Sequence, residues 1–411
     1  QSTAKAYLDS IERDKDAIIF TIGDNDTFAL WYAQEIENYR TDVRTINTQL
    51  LATDWYIDQL KRKTYESSPI PSQLIHKQYV YGTRDYIKFE PIIDTTRWTI
   101  NNFMSWVASD NPRTYYSHLM KQYDVDLKRV PLSTQKMVYY PTNKIRVPVN
   151  KKNVIESGIV KEEDFELIVD YIDIDLPKSG LYKNRLMMLD ILNNNDWKRP
   201  IYFTGGSFQD EEYIWMKDYL QLEGLVYKLV PIKTPENPEN PYQLGRIDSE
   251  KMLKIIKKWD WGNSKSRNIY HDPETRKNSI SFRSNLVRLA DKLIQEEKFE
   301  KAEEVLDIAM ENMPVEFFGF YSLLTPFVSA YQKIDRNEKA NSLATTLNTK
   351  YIQKLNFFKS FNLKSQQNYS EQIFTEIERY RNLVDSSCDY NDKNGFCHIL
   401  IQDFIKNTSD F

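Results

Sequence analysis

An apolar run that ends in an acidic turn constrains the fold of this chain more than any other feature. Residues 17–22 form the run, Gly23 ends it, and residues 24–26 form the turn. A helical pattern comes next, followed by a second β-type run at residues 43–48 and another helical pattern. This alternation is typical of a right-handed βαβ unit. We therefore predict an N-terminal α/β domain built on a Rossmann-like open sheet.

The acidic turn is the first candidate site, because ligand crevices of open α/β sheets lie beyond the carboxyl ends of the strands. Asp24, Asn25 and Asp26 form a D-x-D pattern at such an end. Paired carboxylates of this kind can hold Mg²⁺ or Mn²⁺ on the diphosphate of a nucleotide sugar. The same residues can instead cap the helix that we expect to start near Phe28. The sequence leaves both interpretations open.

Three further features belong to the candidate ligand site. Gly205 and Gly206 follow a predicted buried strand and can expose backbone N–H groups to an anion, although they match no dinucleotide or Walker motif. Arg199, close to Trp197, is a cation–π partner, an anion contact or a solvated residue, and Trp31 lies on the helix after the acidic turn. No Ser/His/Asp or Cys/His arrangement can be assembled, so we name no catalytic residue.

The chain of 411 residues is long enough for two or three domains. We place the α/β domain at residues 1–240, with an irregular insertion at about 64–148. Residues 241–278 are a linker region, introduced by the Pro- and Asn-rich segment 234–241. The 55 basic and 59 acidic residues provide no general basic surface for nucleic acid. No apolar run approaches the roughly 18 residues that a membrane span needs.

Residues 279–411 show an almost purely helical pattern. Small residues recur where two antiparallel helices approach closely, for example Ala290 and Ala302, and Pro314 ends the first pair. A looser second pair includes Ala340 and Ala344. We predict a tetratricopeptide-like repeat domain whose faces pack rather than bind a ligand, because solenoids need about three or more repeats.

The two cysteines, Cys388 and Cys397, flank a short turn-rich stretch near the C-terminus. A pair that closes such a loop suits an oxidising compartment, but two reduced thiols would look the same in the sequence. The pairing is left open at this stage.

Four segments of the chain resemble one known family, in the same order. They are residues 23–60, 150–160, 180–206 and 219–232. The family comprises bacterial multi-pass membrane proteins related to transmembrane protein 260, which are protein O-mannosyltransferase-like proteins of the GT-C type. The resembling region follows the last membrane helices of those proteins, and their hydrophobic half has no counterpart in this sequence.

The resemblance implies a soluble C-terminal module on the extracytoplasmic (periplasmic) side of the bacterial inner membrane. Its expected partners are an acceptor protein or peptide and the membrane-embedded half, with no nucleic acid. We expect acceptor binding or assembly rather than catalysis, and no cofactor. The alternative is a metal-dependent α/β glycosyltransferase domain, in which Asp24 and Asp26 hold Mg²⁺ or Mn²⁺ for a nucleotide sugar.

Overall fold

The predicted first strand is present as Ile18–Thr21, and all four of its residues are buried. The computed structural model describes residues 1–93, 96–207, 209–234, 237, 243–388, 395–409 and 411. The chain divides into two compact units, Gln1–Asp260 and Trp261–Phe411. We call them the α/β unit and the helical unit. No helix in the described ranges is both long and apolar enough to cross a bilayer.

The described part of the α/β unit contains three sheets. Its strands β1 to β12 are Ile18–Thr21, Arg44–Asn47, Tyr86–Phe89, Trp98–Thr99, Tyr139–Tyr140, Lys144–Pro148, Tyr171–Asp175, Leu181–Tyr182, Ile201–Thr204, Leu220–Glu223, Val226–Leu229 and Arg246–Ile247. The largest sheet has the order β12-β10-β11-β9-β1-β2, and the others have the orders β5-β3-β8 and β4-β6-β7. Strands β2, β1 and β9 are parallel, whereas β11 is antiparallel to both β9 and β10. The predicted α/β region is confirmed, with a mixed rather than wholly parallel main sheet.

Ten α-helices accompany these strands. Helices α1 to α10 are Ser2–Asp9, Asp24–Glu35, Asp54–Leu60, His76–Tyr79, Ile100–Ala108, Tyr116–Gln122, Leu132–Gln135, Lys151–Ser157, Lys183–Asn195 and Ser249–Ile256 in the described part of this unit. Short 3₁₀ helices lie at Leu50–Ala52, Pro112–Thr114, Leu127–Arg129, Glu162–Leu167, Asp210–Tyr213 and Lys217–Tyr219. Apolar side chains of α1 and α2, including Leu8 and Leu30, pack with Ile19 of β1 and Tyr202 of β9 in one buried cluster. This packing holds α2 against the centre of the sheet.

The predicted domain boundaries remain predictions, but the elements found there can be stated. The insertion predicted at about 64–148 contains β3 to β6 and α4 to α7. Helix α10 lies within the predicted linker 241–278, and so do the first residues of the next helix. Most of the predicted Pro- and Asn-rich loop, namely residues 235, 236 and 238–241, lies outside the described residues.

In its described residues, the helical unit contains three packed helix pairs and shorter helices. Its helices α11 to α18 are Pro273–Gln295, Phe299–Asn312, Val315–Phe318, Thr325–Lys333, Asn337–Lys359, Leu363–Asn368, Ser370–Cys388 and Phe396–Thr408, with a 3₁₀ helix at Tyr321–Leu324. The pairs are α11 with α12, α14 with α15 and α17 with α18, and α14 also packs against α11 and α17. The predicted helical region is therefore confirmed, whereas its likeness to tetratricopeptide repeats stays a prediction.

The small residues singled out in the sequence lie inside this unit. Ala290, Ala302, Ala340 and Ala344 are fully buried, as close helix packing requires. A disulfide joins Cys388 at the end of α17 to Cys397 in α18, which answers the question that the sequence left open.

Candidate functional site

The carboxyl ends of three parallel strands meet at one edge of the main sheet. Strands β1, β2 and β9 end there at Thr21, Asn47 and Thr204. The chain leaves β1 toward β2 on one side and later enters β9 on the other side. This reversal is the topological switch point at which open α/β sheets form their ligand crevice. We call the space beyond β1 and β9 the switch-point crevice.

Helix α2 begins at this crevice, four residues earlier than the sequence predicted. Its N-cap is Gly23, whose extended backbone leads into Asp24 as the first helical residue. The Thr27 hydroxyl donates to the Gly23 carbonyl over 2.7 Å and ties down the first turn. Asp24 and Asp26 are therefore first-turn residues rather than N-caps, and as carboxylates they would interact favourably with the positive end of the helix dipole.

The two aspartates differ in environment. Asp24 is exposed, whereas Asp26 is half-buried and bonded to the Thr204 hydroxyl. Burial raises the pKa of Asp26, and the bond from Thr204 opposes that rise in part. Side chains two positions apart on a helix do not face each other, so this pair does not form a chelating clamp. Among the described residues, no group of three or more His, Cys, Asp or Glu side chains is arranged to hold a metal ion.

The other predicted residues lie in two different places. Gly205 and Gly206 follow β9 at the switch-point crevice, and Gly206 has a positive φ of 105° with open space beside its Cα. Arg199 precedes β9 and so lies at the opposite end of that strand. It donates to the Asp16 carbonyl over 2.6 Å and to the Pro69 carbonyl over 2.8 Å. Burial lowers its pKa to about 10, and these bonds give it a structural role away from the acidic turn.

Trp31 lines a separate cleft beside the edge strand β2. This edge cleft has a volume of about 340 Å³ and lies between α2, β2, α3 and the chain that follows α3. Its lining residues are Trp31, Gln34, Glu35, Thr41, Val43, Arg44, Thr45, Trp55, Tyr56, Gln59, Leu60, Thr64, Tyr65 and Ser67. The sequence predicted only the first of these. The adjacent aromatic residues at the start of α3 were the signal that could have identified the rest.

Aromatic rings form a continuous wall of the edge cleft. The ring centroids of Trp31 and Tyr56 are 6.3 Å apart, and those of Tyr56 and Trp55 are 5.6 Å apart. Phe28 extends the row beyond Trp31, with a centroid distance of 5.8 Å. Tyr56 is buried, but the Trp55 and Phe28 side chains are each 56% exposed. Exposed aromatic faces in one row are a type of surface that can contact another molecule.

Hydrogen-bonding groups complete the edge cleft. In a parallel edge strand, the backbone N–H and C=O groups of successive residues point alternately toward and away from the neighbouring strand. The Asn47 N–H points away from β1 and donates to the Tyr56 hydroxyl over 3.0 Å. The same alternation turns the backbone of Thr45, which is 5% exposed, away from β1. The Tyr65 hydroxyl donates to the Glu35 carboxylate over 2.6 Å, so the acid is held at the rim. The cleft thus joins aromatic faces to a strand backbone and a fixed carboxylate.

Comparison with known proteins places the chain in a family. Residues 1–251, more than half of the chain, match the family model described as TMEM260-associated domain 2. That match covers β1 to β12, and with them both the switch-point crevice and the edge cleft, but not the helical unit. No curated protein and no solved structure matches the chain. The chain therefore belongs to the TMEM260-associated domain 2 family.

Proposed function

We propose that this chain is the extracytoplasmic, non-catalytic module of a membrane-embedded protein O-glycosyltransferase of the O-mannosyltransferase-like type. Its α/β unit would bind the acceptor polypeptide and present it to the membrane-embedded half. Membership of a family associated with a transmembrane protein supports this proposal. So does the resemblance of the α/β unit to the segment that follows the last membrane helices of such proteins.

The observation that carries the proposal is the composition of the edge cleft. An extended polypeptide presents apolar side chains and backbone amides together, and the cleft offers exposed aromatic faces beside polar side chains and the buried edge strand β2. A sugar diphosphate would instead need cationic groups. Arg44 is the basic residue among the described lining residues, and its guanidinium donates to the backbone carbonyls of Ser68 and Arg62. The cleft is therefore better suited to a peptide than to a phosphorylated donor.

Removing the exposed aromatic faces of the edge cleft should weaken acceptor binding. We expect Trp55→Ala, in the full-length membrane protein, to raise the KM for the acceptor about tenfold or more, since burying one large aromatic side chain contributes about 1.5–3 kcal/mol. The kcat at saturating acceptor should stay near that of the wild type, because the chemistry would occur in the membrane half. Initial rates over a range of acceptor concentrations measure both constants.

Tyr123→Ala is the matched control for this experiment. Tyr123 is also a large aromatic residue of the α/β unit, is 71% exposed and does not line the cleft. The Tyr123→Ala substitution should leave both the KM for the acceptor and the kcat unchanged. Equal kinetics for Trp55→Ala and the wild type would refute acceptor binding in the edge cleft. A fall in kcat without a change in KM would instead support a role close to the chemistry.

The position of Asp24 and Asp26 at the switch-point crevice favours one alternative, a metal-dependent glycosyltransferase domain. Under our proposal, Mn²⁺ or Mg²⁺ with a panel of nucleotide sugars should leave the thermal unfolding of the chain unchanged. Under the alternative, a donor at a hundred times its dissociation constant would add about 2.7 kcal/mol of stability. That gain would disappear in the double variant Asp24→Asn, Asp26→Asn. Differential scanning fluorimetry of both proteins decides between the two outcomes.

A further inference from the structure

An exposed aromatic cluster lies in the helical unit where α15 ends and α16 begins. Five side chains form it, and we call the group the aromatic tip. Ring contacts join Phe357, Phe358, Phe361 and Tyr369, and Leu363 is included as the exposed first residue of α16. Leu363 is 78% exposed, Phe357 53% and Tyr369 44%, whereas Phe358 is 3% exposed and anchors the group. Single exposed apolar residues are common on proteins, but a contiguous group marks an interaction site.

The aromatic tip is held in a fixed arrangement by its own contacts. The ring centroid of Phe361 lies 4.8 Å from that of Phe357 and 5.5 Å from that of Tyr369. The Gln366 side chain donates to the Phe361 carbonyl over 3.0 Å, and the Asn362 side chain accepts from the Ser365 N–H over 2.9 Å. These bonds satisfy backbone groups of the turn, which is a requirement for placing it in an apolar medium.

Lysines flank the aromatic tip in the sequence, and the segment that contains the tip has no acidic residue. Residues 350–370 contain four lysines and no aspartate or glutamate, although the chain as a whole has more acidic than basic residues. The Lys354 ammonium lies 4.9 Å from the ring centroid of Phe358 and 5.4 Å from that of Phe357. Lys364 follows Leu363 directly and is exposed. The net negative charge of the whole chain therefore does not describe the charge of this segment, which is positive.

The acidic residue that lines the cavity at the tip is already engaged. Glu376 lines the small cavity of about 250 Å³ beneath Phe357 and Phe361. Its carboxylate accepts a hydrogen bond from the Tyr321 hydroxyl over 2.9 Å and lies 3.4 Å from the Arg379 guanidinium. Among the described contacts, neither Lys354 nor Lys364 forms an ion pair with it.

We propose that the aromatic tip docks on the surface of a membrane that contains anionic lipids. Its exposed apolar side chains would enter the boundary between head groups and acyl chains. Lysine side chains would extend from the same turn to the phosphates, because their long stems reach the head-group layer. Aromatic residues flanked by lysine are the combination that the membrane interface favours. This inference concerns the helical unit and does not depend on acceptor binding in the α/β unit.

Sedimentation of the purified chain with vesicles tests the proposal. The probes are phosphatidylcholine vesicles with and without phosphatidylglycerol. We expect the wild type to bind the anionic vesicles more strongly, and less strongly as salt is raised. Leu363→Ser and Phe357→Ser should each weaken binding about tenfold, whatever the lipid charge. Lys354→Gln with Lys364→Gln should remove most of the preference for phosphatidylglycerol, at about fivefold per lysine.

Leu132→Ser and Lys152→Gln, on exposed helices of the α/β unit, are the matched controls and should bind as the wild type does. Two results would overturn the proposal. One is that the wild type fails to bind anionic vesicles, or that Leu363→Ser and Phe357→Ser bind as well as it does. The other is that the same substitutions lower the mass of the chain in analytical ultracentrifugation while vesicle binding persists, which would make the tip a contact between two copies.

Discussion

Arg283→Ala is expected to lower the free energy of unfolding of the helical unit by about 3–5 kcal/mol. Arg283 is fully buried on α11, and burial lowers its pKa to about 10. Its guanidinium donates to the Gly319 carbonyl over 2.6 Å and to the Met313 carbonyl over 2.7 Å. It thereby joins α11 to the end of α12 and to the turn that precedes α14. Alanine would leave these carbonyls without that donor and would open a cavity.

Lys277→Ala is the control for this prediction. Lys277 is on the same helix, and its side chain is 58% exposed and paired only with Glu274 at the surface. The substitution should change stability by less than about 1 kcal/mol. Urea unfolding of both variants, with hydrogen exchange to localise the change, measures the difference. Equal stability of Arg283→Ala and Lys277→Ala would show that the buried guanidinium contributes nothing.

Asp190→Ala is expected to destabilise the α/β unit by a similar amount, about 3–5 kcal/mol. Asp190 is fully buried on α9, and its carboxylate accepts from the Ser72 hydroxyl and from the Asn194 amide at 2.9 Å. The backbone N–H groups of Gln73 and Leu74 also point to it, each at 3.4 Å. The carboxyl group therefore anchors the segment that follows α3. Alanine would leave several hydrogen-bond donors without an acceptor.

The pH dependence of this effect follows from the pKa of Asp190. Burial raises that pKa above the value in the unfolded chain. The stability that the group contributes is therefore complete below the unfolded pKa and is lost as the pH rises through the folded one. The deficit of Asp190→Ala should be larger at about pH 4 than at about pH 7. Asp170→Ala, at a 79% exposed side chain paired with Lys151, is the control and should show a small deficit. A deficit that grows with pH would contradict the assignment.

Local patterns predicted the elements that are contiguous in sequence. The run that forms β1, the helix α2 and the strand β2 follow directly from apolar periodicity, and the structure confirms them. Helix α2 starts earlier than the apolar pattern predicts, because that pattern registers apolar residues and the first turn is polar. Helix α2 begins at Asp24 since Gly23 can take the N-cap position.

The site was harder to predict, because its parts come together only in three dimensions. Arg199 and Gly205 are close in sequence, yet they lie at opposite ends of β9. Trp31 and Trp55 are 24 positions apart and line one cleft, because α2 and α3 both border β2. Which face a helix presents to its neighbour depends on crossing and register, and a single sequence does not contain that information.

The strand order of the main sheet also governs when this unit can form. The Ile22 N–H donates to the Thr204 hydroxyl across 182 positions of sequence, and β9 pairs with β1 along the same seam. Strand β1 therefore cannot pair with β9 until the whole intervening chain has been synthesised, including the two smaller sheets. Contacts of such long range are slow to close. During synthesis the first sixty residues would hold an apolar strand with one side unpaired, so chaperone contact with the nascent chain is expected to end only when β9 emerges.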